Sequence, residues 1–178
     1  MQRALILLVA LVLGGCDSGP AATASAPIAA SDLSGRFALS FTIEHGTVKS
    51  SDVILGAATL TLVGPGGATI SGPSPFVGFE FTEVGGSHRQ VGFATDAVCE
   101  PHRVTSNTPI VTPIAKSGGT GIPAGPDGDW YRKFLADPLL HLPAGDWDVA
   151  AIATLFDASG CAGAPVNLRV TLRVHVIE

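Results

Sequence analysis

The chain has 178 residues, with 10 basic against 15 acidic side chains and a net charge of −5, so it offers no basic surface for nucleic acid. Charged residues make up only 14% of it, while glycines number 22 and prolines 13, a mixture that favours short strands and tight turns over helices. The length fits one domain with its own core, and no internal repeat divides it.

The chain opens with Arg3, an unbroken apolar run over residues 4–12, and then Leu13-Gly14-Gly15-Cys16. A basic start, an apolar stretch of roughly 7–15 residues and small residues at the cut are the parts of a secretory signal. A membrane span would need about 20 apolar residues, and Gly14, Gly15 and Asp17 end this run too early. Leu13-Gly14-Gly15-Cys16 resembles the lipobox of bacterial lipoproteins. That resemblance implies a signal peptide over residues 1–15, cleavage before Cys16 and a diacylglycerol group on the Cys16 thiol. The domain is then expected outside the cytoplasm, held on the bacterial membrane by lipid. By the same likeness, Asp17 beside the lipidated cysteine points to retention at the inner membrane.

Residues 16–34 are expected to be the lipidated cysteine and a flexible tether, because Ala, Ser and Pro dominate residues 18–31 and cannot bury a core. Residues 35–178 follow as the folded domain. Phe37, Leu39, Phe41 and Ile43 alternate with small and polar residues, and residues 58–63 form a second run before the turn at Gly64-Pro65-Gly66-Gly67. Residues 77–84 and 89–94 flank Gly85-Gly86 and read as a hairpin. Residues 109–114 are a shorter strand that Pro109 and Pro113 confine to a sheet edge.

Residues 129–136 alone look helical, with Asp129 as the cap and Pro138 just beyond the end. Trp130, Phe134 and Leu135 are expected to close one end of the core. The clearest strands come last. Trp147, Val149, Ala151, Ala153 and Leu155 share one face, and Leu168, Val170, Leu172, Val174 and Val176 share another. This period-two alternation marks two half-buried strands that pair antiparallel. Seven or so strands with one helical crossing predict an all-β fold, an immunoglobulin-like antiparallel sandwich.

With Cys16 committed to lipid, Cys99 and Cys161 remain as an even pair in an oxidising compartment, which predicts a disulfide. The loop enclosed is about 60 residues, for which chain entropy gives ~4 kcal/mol of stabilisation. No nucleophile elbow, phosphate loop or dinucleotide fingerprint is present, and Ser71 and Ser117 read as turn residues. His45, His88, His102, His141 and His175 are scattered. Glu100 and His102 beside Cys99 supply too few ligands for zinc, so no metal and no cofactor is expected. Asp127 and Asp129 are oxygen donors without EF-hand spacing, and Trp130 and Tyr131 are the aromatics best placed for a recognition surface.

Leu140-His141-Leu142-Pro143-Ala144-Gly145-Asp146-Trp147-Asp148-Val149 resembles the leucine, proline, glycine, aromatic, valine lead-in to the penultimate strand of bacterial immunoglobulin-like domains. The last two fifths of the chain, through the glycine-flanked Cys161, is similar to lipid-anchored envelope proteins of bacteria. The likeness brings no catalytic residue with it. The expected function is a lipid-anchored extracytoplasmic binding or adaptor module without catalytic activity, presenting loops or a strand edge to another envelope protein. Two alternatives stand beside it: a lipoprotein that takes a small ligand, sugar or Ca²⁺ on residues 117–137, and an envelope hydrolase with an unrecognised site.

Overall fold

The structure is a computed structural model that describes residues 25–117 and 126–178. It contains β1 (Ile28–Ser34), β2 (Phe37–Ile43), β3 (Thr47–Lys49), β4 (Gly56–Leu62), β5 (Gly67–Ser74), β6 (Val77–Val84), β7 (Gln90–Val91), β8 (Asp96–Thr105) and β9 (Ile110–Pro113). Helix α1 (Pro126–Ala136) follows, then β10 (Gly145–Leu155) and β11 (Val166–Ile177). One sheet runs β1-β2-β4-β9, a second β3-β11-β10-β6-β7, and β5 pairs with β8 in a separate ribbon. Every pairing is antiparallel except that of β3 with β11. The expected all-β sandwich is present, with eleven strands among the described residues where about seven were read.

The core follows from the alternation. Phe37, Leu39, Phe41 and Ile43 of β2 are buried against Trp147, Val149, Ala151, Ala153 and Leu155 of β10 and the even-numbered apolar row of β11. Phe41 meets Phe79 across the layers at 5.5 Å between ring centroids. Each large side chain so buried contributes roughly 1.5–3 kcal/mol of transfer free energy. The β10–β11 hairpin is registered from Gly145↔Val176 to Leu155↔Val166, as the sequence pattern requires.

Several expectations are corrected. The stretch read as tether is structured from Ile28 onward, where β1 pairs with β2 over its full length. Its alternation is hidden by alanines and serines, and the hairpin turn at Gly35, φ +59°, supplies the missing signal. The hairpin after Gly85-Gly86 is real but pairs at only Phe81↔Val91 and Thr82↔Gln90. The helix begins at Pro126, so Asp129 lies inside its first turn with Asp127 and is not its cap. Proline fits the first helical position because its absent N–H would have had no partner there, and acidic side chains in the first turn complement the helix dipole.

Several sheet edges are blunted. On β3, the outward N–H of Thr47 donates to Ser25 Oγ (2.9 Å) and that of Lys49 to Asp52 Oδ2 (3.0 Å). Across the gap between sheets, Asp32 of β1 accepts from the Arg169 N–H of β11 at 3.0 Å. Two further edges, β8 and β9, use proline. Ser71 exchanges both backbone hydrogen bonds with Phe156, so Pro101, which faces Ser71 on β8, must turn its nitrogen outward. On β9, Ile114 N–H donates to the Gly56 carbonyl, which leaves Pro113, opposite Ala57, in the outward-facing position. A proline nitrogen there cannot donate to an incoming strand.

Candidate functional site

Helix α1 lies against the core. Tyr131 and Phe134 are buried and Trp130 half-buried, so of the two roles open to Trp130 and Tyr131 the structure shows packing over the sandwich end. Trp130 stacks on Phe134 at 5.1 Å and on Trp147 at 6.0 Å, and Phe134 meets the Phe81 ring edge-on at 6.0 Å. Burial raises the pKa of the Tyr131 phenol. The predicted closure of the core by Trp130, Phe134 and Leu135 holds, with Tyr131 joining them.

Two cations clamp this helix. The Arg89 guanidinium sits 4.9 Å over Trp130 and 5.5 Å over Trp147. Its two other contacts are with the buried Glu83 carboxylate: Arg89 Nε donates to Oε2 at 3.0 Å and Nη2 to Oε1 at 2.7 Å. The Arg89 side-chain hydrogen bond holds the Glu83 carboxyl below its ordinary range. At the helix C-terminus the Lys116 ammonium donates to the Phe134 carbonyl (2.6 Å) and lies 4.6 Å from the Phe134 ring. Desolvation lowers the Lys116 pKa, opposed by the Asp137 charge. Both arrangements complete hydrogen bonds of the fold.

Asp127 and Asp129 are exposed on the helix, and Asp129 pairs with Arg132. Of the 117–137 loop, residues 118–125 lie outside the described residues. Among the described residues no group of three His, Cys, Asp or Glu side chains could hold a metal ion. Cys99 and Cys161 are joined, with Cα atoms 5.9 Å apart, and tie β8 to the loop after β10. The serines read as turn residues are structural: Ser71 is buried within β5 and donates to the Ala158 carbonyl (2.8 Å), while Ser117 Oγ accepts from Ala94 N–H (3.1 Å). Residues 1–24, with Cys16 and Asp17, also lie outside the described residues, and no described helix is long and apolar enough to cross a membrane.

The concave surface lies elsewhere, at the end of the sandwich where β2 stops and β4 starts. Three adjoining hollows there share Leu55 as a wall. The largest, about 750 Å³, has an apolar floor of Ile43, Val48 and Val53 and a polar rim of Glu44, His45, Lys49 and Asp52. Another, about 320 Å³, runs from Val53 to Leu139 and carries Lys116 and Asp137. Leu55 is 52% exposed, Leu139 49% and Ile177 41%, and each lines one or more of these hollows. Asp137 accepts from His141 Nδ1 (2.7 Å) and Leu139 N–H (2.8 Å), and these bonds hold its pKa down. The loop carrying Leu139 is therefore fixed; Ile54 N–H reaches the Leu140 carbonyl at 3.0 Å.

Sequence reasoning missed this end because its residues come from five separate segments, none with a motif. The signal available was Leu55 and Leu139, apolar residues outside any alternating run. The architecture defines the protein as an all-β sandwich with a disulfide-tied ribbon. Comparison with protein-family models, with curated proteins and with solved structures gives no match.

Proposed function

We propose that the protein is a lipid-anchored extracytoplasmic binding module, and that its contact surface is the sandwich end around Leu55. The observation that carries the second part is the convergence of three hollows and three exposed apolar side chains at this end. The alternatives within the fold are poorer. Strand addition is opposed at β3, β8 and β9 by capped or absent donors, and the α1 aromatics are packed inward. The anchoring part rests on Leu13-Gly14-Gly15-Cys16.

A photoreactive side chain at Leu55, compared with one at Val63, tests the surface. Residues 55 and 63 flank β4 at its two ends. In native membranes adducts are expected from position 55 and not from 63. Equal labelling at both positions, or none at either, rejects the assignment.

A further inference from the structure

The described chain begins on the rim of the largest hollow. Ser25 lines it, and the Ala26 carbonyl accepts from Gly46 N–H at 3.3 Å. Cys16 lies nine residues before Ser25, so a lipid on Cys16 holds this end within roughly 32 Å of the bilayer even with the connection fully extended. The opposite end, with Gly35 and the Gly64-Pro65-Gly66-Gly67 turn, is one strand length farther away.

We infer that the Leu55 end docks on the lipid bilayer surface itself, with Leu55, Leu139 and Ile177 entering the headgroup boundary. This rests on the anchored reading above. A patch of three aliphatic side chains is too small to bring a free protein to a membrane. A connection of so few residues supplies an effective concentration in the millimolar range, at which so weak a contact is populated. The charge around the patch chooses the lipid. Glu44, Asp52 and Asp137 ring the hollows, and Lys116 is already committed to the Phe134 carbonyl, leaving Lys49 as the facing lysine among the described residues. An acidic rim favours zwitterionic over anionic headgroups.

The test is backbone hydrogen exchange of the full lipidated protein in phosphatidylcholine vesicles, read at residues 51–56 and 138–140 and at residues 63–67. A variant carrying Leu55→Asp and Leu139→Asp serves as reference, its fold checked by unchanged protection in β10 and β11. Exchange at the Leu55 end is expected to be at least about fivefold slower in the wild type than in the variant, with no difference at the other end. An equal mixture with phosphatidylglycerol should reduce that protection. Equal exchange in wild type and variant overturns the inference, as does protection found in native membranes but absent from pure lipid, which would assign the surface to a protein. Mass measurement of the N-terminal peptide separates the two readings: absence of lipid on Cys16 removes the anchor, while a lipidated protein without protection removes docking alone.

Discussion

Glu83 illustrates how much one buried carboxylate can do here. It is 7% exposed and bound through both oxygens by Arg89, which in turn covers Trp130 and Trp147. Removing one partner of a buried pair leaves the other charge uncompensated, so Arg89→Ala should lower unfolding free energy by about 3 kcal/mol, measured by denaturant titration. Loss of near-ultraviolet circular dichroism from the two tryptophans should accompany it. The pH dependence has a fixed sign. Because the folded Glu83 pKa lies below its ordinary 4.5, its contribution is complete above pH 4.5 and is lost as pH falls through the lower folded value. Glu83→Gln should therefore flatten the acid limb of the stability curve. Gly78 is the second position of this kind: a Cβ there would come within 2.1 Å of the Phe93 ring. Gly78→Ala should cost about 1–3 kcal/mol by overpacking, checked by thermal unfolding.

Among the elements, what could be read from the sequence depended on which face was buried. Strands β2, β10 and β11 each bury one side under the other sheet, so Phe37, Trp147 and Leu168 begin visible alternations. The described side chains of strand β8 are largely exposed, so Cys99-Glu100-Pro101-His102-Arg103 shows no alternation and drew notice only for Glu100 and His102, too few ligands for zinc. Strand β5 carries Gly72 and Pro73 and buries Ser71, a polar residue no periodicity would place inside. Proline was the reliable clue on β9, where the sequence already indicated an edge. Its role there is directional, since Pro113 and Pro101 both turn a missing donor toward solvent. The double variant Pro101→Val and Pro113→Val should restore two outward N–H groups and drive self-association, visible as larger species in sedimentation velocity. If the variant stays as dispersed as the parent, the prolines do not guard these edges.

At the scale of the molecule, the Cys99–Cys161 bond adds a covalent tie to a ribbon whose Ala68, Ile70 and Val104 already pack into the core. The β5–β8 ribbon meets the main sheet through the Ser71↔Phe156 bridge, and the disulfide fastens its outer strand to the loop that follows. A separation of 62 residues corresponds to ~4 kcal/mol of chain entropy in the unfolded state. Replacing both cysteines with serine should lower stability by up to that amount. Hydrogen exchange in β5 and β8 should rise more than in β10 and β11, because β8 carries one end of the lost link and lies at a sheet edge.

The two ends of the described chain meet at one place. Gly46 donates its N–H to the Ala26 carbonyl and accepts through its own carbonyl from His175, while Ser25 and Ile177 line the same hollow. Such closeness permits circular permutation: residues 25 and 178 can be joined by a short linker and the chain reopened in the exposed turn at Gly64-Pro65-Gly66-Gly67. The permuted chain would keep every strand pairing, yet any anchor fused to its new start would leave from the opposite pole. The sandwich would then stand inverted, with Leu55 farthest from the point of attachment.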